Sequence, residues 1–465
     1  MSAAADILIV SDLHLRGGHN NPTAGLYHFD EEFADFLRYY RLNEPRPNGW
    51  TLVIGGDFIE FLYVTDLPDV EAPLLRGATF APSEHQYGAA TEAQKSRWKL
   101  DTILRSSHPQ LLLALARFVA EGNRIVVLRG NHDLEMFWPE VQEHFCRLIA
   151  EHHPADVPYV TMKAAVAERI QFAEWFWYLP GLLYVEHGCQ YDQFCSFEHI
   201  LNPVVPARPT HLSMSISEFA IRYFTNQMKM LDAMAAENIK SVSEYIGWAM
   251  TGNVRLLPRI AGLYGGMVRR VLDKSGVPDA SAEATVRAEH ARRVAETDRR
   301  YGLPSGTAAA IDAMHATPVM RRTFATARFL ALDLVAAGLL LLVLTAIVLI
   351  WSPARIGLLA LLGAIAGGGL IAYTGALRFR YVTEAAQLHR TAQRIAQLVK
   401  VSHVVFGHSH GAGRWPLAGG ATYYNVGTWV PVSEDAYFVH LAIFGGSAQL
   451  LRWNKKERRP VAMAG

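Results

Sequence analysis

Five short stretches carry the residues best suited to chemistry: Asp12-Leu13-His14, Gly56-Asp57-Phe58-Ile59-Glu60, Gly130-Asn131-His132-Asp133, His187-Gly188 and Gly407-His408-Ser409-His410. Asp12 and His14 lie two apart on an extended segment, so both can face one ion. Asp57 offers a carboxylate able to bridge two ions, Asn131 a neutral amide oxygen and His187 an imidazole. His408 and His410 are again alternate residues of an extended loop. Such a set suits a pair of divalent ions about 3.5–4 Å apart, which can activate a water and clamp the oxygens of a phosphate in line. Nitrogen and oxygen ligands without thiolate favour Mn, Fe or Zn over Ca, with Mn the first expectation. Singly, each residue has a plainer reading: Asp12 caps a turn, His14 is a satisfied core histidine, Asn131 sits in a left-handed turn. The reading rests on all five pieces occurring in this order, with Asp57 at the centre.

Strands must place these residues. Thr51–Ile54 reads as a short β-branched strand ended by Gly55 and Gly56. Asp57 then lies on a loop at the carboxyl end of a strand, where open α/β sheets put their sites. Asp6–Ser11 is an apolar strand leading to Asp12. Arg124–Leu128 leads to Asn131, Leu182–Glu186 to His187 and His403–Phe406 to His408. Helical spacing at Glu31–Tyr40 and Pro109–Glu121 alternates with these strands, which predicts an α/β layered core. Residues 64–90, rich in Pro, Gly and Ala, read as an irregular insertion near the site. Thr422–Val426 and Tyr437–Phe444 read as closing strands.

At 465 residues the chain exceeds one ordinary domain. Its formal net charge of +1 gives no polyanion signal, so nucleic acid is not an expected partner. Three cysteines, Cys146, Cys189 and Cys195, form no CxxC pair and fit a reducing compartment. No basic region followed by an apolar run opens the chain, so no cleaved leader is expected.

Residues 190–330 break the alternation. They show no convincing strand and several helical stretches, including Ser217–Met234 and Ala282–Arg300. Val254–Leu272 mixes apolar residues with Arg255, Arg259, Arg269 and Arg270. It reads either as a cap helix over the core or as a basic amphipathic segment on a membrane. Leu334–Trp351 and Ile356–Leu377 carry no charged residue. Each is long enough for a helix crossing the roughly 30 Å hydrocarbon core. Arginines flank the pair outside, with only Arg355 between, which predicts a transmembrane hairpin with both ends cytoplasmic. Two crossings also return the chain to the side where His408 and His410 can reach Asp57. The resulting division is a catalytic core at 1–190 and 378–465, a helical insertion or cap at 191–330 and the hairpin at 331–377. The expected location is the cell membrane, with the core on its cytoplasmic side.

The motif residues resemble the calcineurin-like metallophosphoesterases, whose pattern is D-x-H, G-D-x-x-[D/E], G-N-H-[D/E], H-G and G-H-x-H. The resemblance covers roughly residues 5–190 and 400–453, not the insertion or the hairpin. It implies an α/β fold of the four-layer α/β/β/α sandwich type and hydrolysis of a phosphomonoester, phosphodiester or pyrophosphate. It implies one ion held by Asp12, His14, Asp57 and His410 and a second by Asp57, Asn131, His187 and His408. It makes His132 the proton donor to the leaving group or a phosphate contact, oriented by Glu60, with Asp133 the alternative orienter; imidazole has a suitable pKa for this. Within the family, Asp12-Leu13-His14-Leu15 and Gly56-Asp57-Phe58-Ile59-Glu60 look most like the UDP-2,3-diacylglucosamine hydrolase group. That group has Arg where this chain has His132, Asp where it has Cys189, and no hairpin. Arg16, beside His14, is a candidate phosphate contact; Tyr191 and Asp192 are read as pocket lining. The expected protein is a membrane-anchored two-metal phosphoester hydrolase whose substrate is lipid-linked. The alternatives are a catalytically idle scaffold of the same fold, or a general phosphatase or nuclease for soluble substrates.

Overall fold

Short strands with no polar face need cover on both sides. The computed structural model describes residues 6–17, 28–44, 46–67, 72–229, 254–274, 279–322, 383–431, 437–445 and 447–463, with scattered positions between 326 and 368. It provides that cover with two stacked sheets. The first seven strands in chain order are β1 (Ile7–Val10), β2 (Thr51–Gly55), β3 (Arg124–Leu128), β4 (Ile170–Ala173), β5 (Phe176–Leu179), β6 (Leu183–Glu186) and β7 (Val204–Val205). The rest are β8 (Arg208–Leu212), β9 (His403–Phe406), β10 (Gly413–Pro416), β11 (Thr422–Asn425), β12 (Val439–Phe444), β13 (Ser447–Asn454) and β14 (Arg459–Ala462).

A seven-stranded sheet runs β14-β13-β12-β1-β2-β3-β4, and a five-stranded sheet runs β10-β11-β9-β6-β5. β1 to β4 are mutually parallel, and β9 is parallel to both β6 and β11. Strand periodicity sorts the side chains. Ile7, Ile9, Val53 and Val126 meet Leu183, Val185, Val405 and Tyr424 in a core between the sheets. The alternate residues Leu8, Val10, Leu52 and Ile54 face the helices Asp30–Leu42, Ala93–Ser107, Pro109–Ala120 and Pro139–Glu151. On the other outer face, Tyr184, Val404 and Phe406 pack with Leu388 and Ile395 of Thr383–Val399 and Val286 of Ala280–Tyr301. The parallel strands all end toward one edge, which concentrates their following loops there.

The helical insertion has its own small core. Ile216, Phe219, Phe224 and Met228 pack against Ile260, Met267, Val271 and Val319. Ile260, Met267 and Val271 of the helix Leu257–Lys274 are thus buried against protein. The insertion docks beside the site: Asn226 Nδ2 donates to Leu62 O at 2.8 Å, and Arg222 donates to Gly88 O and Ala89 O. Residues 190–330 were expected to hold no strand, yet β7 and β8 form a small hairpin. Pro203, Pro206 and Pro209 hid it, because proline weakens a strand pattern.

The transmembrane hairpin is corrected. Among the described residues no helix is long and apolar enough to cross a membrane. The cell-membrane location, the cytoplasmic placement and the bilayer as a partner rested on that hairpin and fall with it. Most of 331–377 lies outside the described residues.

One buried pair predicts how the core responds to acid. Tyr40 of the helix Asp30–Leu42 meets His440 of β12, with Oη 2.7 Å from Nε2. Burial drives the His440 pKa down to about 3. A depressed histidine stabilises the fold above its unfolded value of about 6.5 and loses that contribution as pH falls toward 3. Within that window the stability falls by up to about 1.4 kcal/mol per pH unit. His440→Gln, which does not titrate, is expected to flatten the loss of melting temperature between pH 6.5 and 4; an unchanged slope contradicts the assignment.

Candidate metal centre

The loops after β1 and β2 continue as a ladder beyond the strands. Asp12 N–H donates to Gly56 O, His14 N–H to Asp57 O, Leu15 N–H to Phe58 O, and Glu60 N–H to Leu15 O. This brings Glu60 beside His14 although 46 residues separate them. The backbone turns sharply here. Of the eight described non-glycine residues at positive φ, five are Asp12 (55°), His14 (49°), Asp57 (49°), His408 (65°) and His410 (57°). Non-glycine residues in this region cost of order 1 kcal/mol each and persist where surrounding contacts over-determine them.

The glycines of the motifs have steric causes. A Cβ on Gly130 would stand 2.1 Å from Asp57 Oδ1, and one on Gly407 would stand 2.3 Å from Asp12 Oδ2. Gly130→Ala is therefore expected to displace Asp57, lowering bound metal and turnover at least about 10-fold, the scale of a disturbed metal shell. Gly262→Ala, where an added Cβ would have no atom within 4 Å, is the control and should leave both unchanged. Equal behaviour of the two variants contradicts the packing argument.

The side chains converge in two adjoining groups. In the first, His410 Nε2 lies 3.2 Å from Asp12 Oδ1 and 3.0 Å from His14 Nε2. Two imidazole nitrogens so close need a proton or a cation between them. His14 Nδ1 is 2.6 Å from Glu60 Oε1, which favours donation there and leaves Nε2 as the nitrogen able to accept an ion. In the second, His187 Nε2 lies 3.2 Å from Asp57 Oδ2, while its Nδ1 donates to Gly55 O at 3.0 Å. Asp57 Oδ2 is also 4.0 Å from His14 Nε2, so this carboxylate stands between the groups. His132 N–H donates to its other oxygen at 2.8 Å.

Buried Asp12 Oδ1 and His187 Nε2 face the His410 and Asp57 side chains at 3.2 Å without a well-formed hydrogen bond, and buried Asn131 Oδ1 has no hydrogen-bond partner among the described residues. Buried polar atoms are normally satisfied. Atoms of Asp12, His14 and His410, and of Asp57, His187 and His408, lie close enough together to hold a metal ion. The electrostatics ask for a cation. Burial opposes charge on Asp57, but His187 and His132 outweigh it and hold the carboxyl below its usual range. Burial likewise disfavours charged His14 and His187, yet the surrounding carboxylates raise them to about 10 and about 9. Divalent ions supply the positive charge that these protons otherwise bring. The donors fit.

His132 stands at the edge. Its Nδ1 lies 2.9 Å from Glu60 Oε2, so the two oxygens of Glu60 serve His132 and His14 separately. Asp133 has another task. Its Oδ2 accepts from Phe58 N–H at 2.8 Å and its Oδ1 from Gly130 N–H at 2.6 Å, which ties the β2 and β3 loops together. Burial, then the Asp57 charge, push Asp133 up to about 6. No hydrogen bond or ion pair joins Asp133 to His132. Arg16 is 3% exposed. Its guanidinium lies 3.8 Å from the Tyr63 ring centroid and its Nη2 3.8 Å from Glu60 Oε1.

Several supports escaped sequence reasoning. Thr428 Oγ1 donates to Asp12 O at 2.8 Å, and Asn425 Nδ2 to Gly407 O at 2.7 Å. The second follows from β11 running beside β9, and the first from the loop after β11 meeting Asp12, where Trp429 N–H also donates to Asp12 O at 3.2 Å; nothing in their local sequence marks them. Asp192, expected only to line the pocket, approaches His408.

The histidine–carboxylate clusters at the strand ends of this two-sheet α/β fold can hold divalent ions, which suits metal-assisted hydrolysis. Residues 5–199 match the calcineurin-like phosphoesterase family model, so this part of the chain is a calcineurin-like phosphoesterase domain and the protein is a metal-dependent phosphoesterase. The match includes Asp12 through His187 and stops before His408 and His410. It is to the family as a whole and does not single out the UDP-2,3-diacylglucosamine hydrolase group. No curated protein matches the chain.

Proposed function

We propose that the protein hydrolyses a phosphoester or pyrophosphate with two divalent ions, Mn the first choice. Asp12, His14, Asp57 and His410 would hold one, and Asp57, Asn131, His187 and His408 the other. The observation that carries this is the meeting of two groups, Asp12–His14–His410 and Asp57–His187–His408, with Asp57 Oδ2 3.2 Å from His187 Nε2 and 4.0 Å from His14 Nε2. Bound ions of this kind supply Lewis acidity toward the phosphoryl oxygens and the attacking water.

The chain's own residues supply the rest. Glu60 accepts from His132 Nδ1 and fixes the ring, so Nε2 is the nitrogen that delivers a proton to the leaving oxygen. Burial disfavours the imidazolium, but Glu60 and then Asp57 more than compensate and keep His132 charged to higher pH. That is the protonation state a general acid needs. Glu60 also restrains His14, so one carboxylate aligns the acid and a metal ligand. Arg16 would meet a phosphate oxygen from the Glu60 side.

The test is a panel of phosphomonoesters, phosphodiesters and nucleotide-sugar pyrophosphates, assayed with purified protein in Mn²⁺, Zn²⁺ and Fe²⁺. Metal-dependent release from at least one class is expected, at rates lost in Asp57→Asn. No release from any class in any of these metals contradicts the proposal.

A further inference from the structure

His408 is held from two directions. Its backbone N–H donates to Asp12 Oδ2 at 3.0 Å, and its positive φ of 65° fixes the turn after Gly407. Its ring packs edge-on against His187, with centroids 5.3 Å apart. Its Nε2 lies 3.3 Å from Asp192 Oδ2. Asp192 is itself locked. Its Oδ1 accepts from Phe194 N–H at 2.9 Å, and its backbone O accepts from Cys195 N–H and Ser196 N–H at 3.1 and 2.8 Å. This rigid turn starts the helical insertion, five residues after His187.

We propose that Asp192 is a positioning residue for the second ion of the proposed pair, acting through His408; the inference rests on the two-ion reading above. An imidazole that donates from Nε2 keeps its lone pair on Nδ1. The Asp192 carboxylate therefore selects the tautomer and sets the ring angle with which His408 serves the cluster of Asp57 and His187. Carboxylate partners of ligating histidines raise their basicity, and their loss typically costs 10–100-fold in metal affinity. Among the described residues, no hydrogen bond or ion pair joins Asp192 to Asp12, His14 or His410. The role is thus selective for one ion. It also makes the entry to the insertion part of the metal centre, so movement of that turn would be felt by the second ion first.

The experiment titrates metal-free protein with Mn²⁺ and follows both dissociation constants by electron paramagnetic resonance, for wild type, Asp192→Asn and Asp192→Ala. Asparagine retains an oxygen for Phe194 N–H, which guards against simple misfolding. Unaltered binding of the first ion reports an intact fold in each variant. The expected result is a second constant weakened 10–100-fold in Asp192→Ala and less in Asp192→Asn. The magnetic coupling between paired ions should vanish at limiting Mn²⁺ and return with excess. Wild-type protein that binds two ions, with both constants unchanged in Asp192→Ala, overturns this role alone. Equal weakening of both ions also overturns it. Wild-type protein that binds a single ion overturns the two-ion reading and the role together.

Discussion

Asp57→Asn is expected to lose both ions and roughly 10³-fold or more in kcat/KM. A single preorganised electrostatic contact contributes about 10²–10³, and Asp57 is more than one contact. Its Oδ2 faces His187 at 3.2 Å and His14 at 4.0 Å, so it stands between the two groups. Its Oδ1 anchors the His132 backbone. Asparagine keeps the size and can still accept from His132 N–H, but it removes the charge that balances the cluster. Metal analysis of the purified variant separates this from a folding defect, because the residues of the inter-sheet core are untouched. Asp57→Asn protein that keeps two ions and near-normal turnover would remove the bridging role.

His132→Ala is expected to lower kcat by about 10²–10⁴, the range of general acid catalysis, with metal content retained. The geometry makes this a sharp comparison, since His132 lies close enough to Asp57 and His14 to act as a ligand instead. Its Nε2 is 4.0 Å from Asp57 Oδ2. Metal-depleted His132→Ala would assign it to the ligands and leave the acid elsewhere. Glu60→Gln should show a smaller kcat loss together with weaker metal binding. One carboxylate serves both His132 and His14, and a neutral amide cannot accept equally from both. Substrates with good leaving groups should suffer less from either change, because they need less proton donation.

The strand-and-loop rhythm was readable because the buried strands are short, β-branched and bounded by glycine. Thr51–Gly55, Arg124–Leu128 and His403–Phe406 occupy the positions their patterns indicate. The site pieces were readable for a related reason: chemistry confines them to strand ends, where Gly56, Gly130 and Gly407 leave no room for a Cβ. Contacts between distant segments were not readable. The division of Glu60 between two histidines depends on the loop ladder joining 12–15 to 56–60. The occupation of Asp133 by backbone N–H groups depends on the β2–β3 pairing. Asp133 is the sequence neighbour of His132 and Glu60 lies 72 residues away, yet it is Glu60 that meets the His132 ring. The two uncharged runs, Leu334–Trp351 and Ile356–Leu377, misled for the opposite reason. Composition alone argued for crossing helices there, and among the described residues no helix is long and apolar enough to do so. Val254–Leu272 had two readings of equal local appearance. Ile260, Met267 and Val271 are buried against residues 216–228, a contact that local sequence does not reveal.

The most direct measurement is metal stoichiometry against turnover in one preparation. The protein is stripped with chelator, shown to retain its fold by circular dichroism, and reconstituted stepwise with Mn²⁺ while hydrolysis of the best substrate from the panel is followed. Two ions per chain, negligible turnover in the stripped protein and full recovery only as the second ion binds are the predicted result. Stripped protein that hydrolyses its substrate at the original rate, or full activity with one ion per chain, would contradict a two-ion centre built on Asp57.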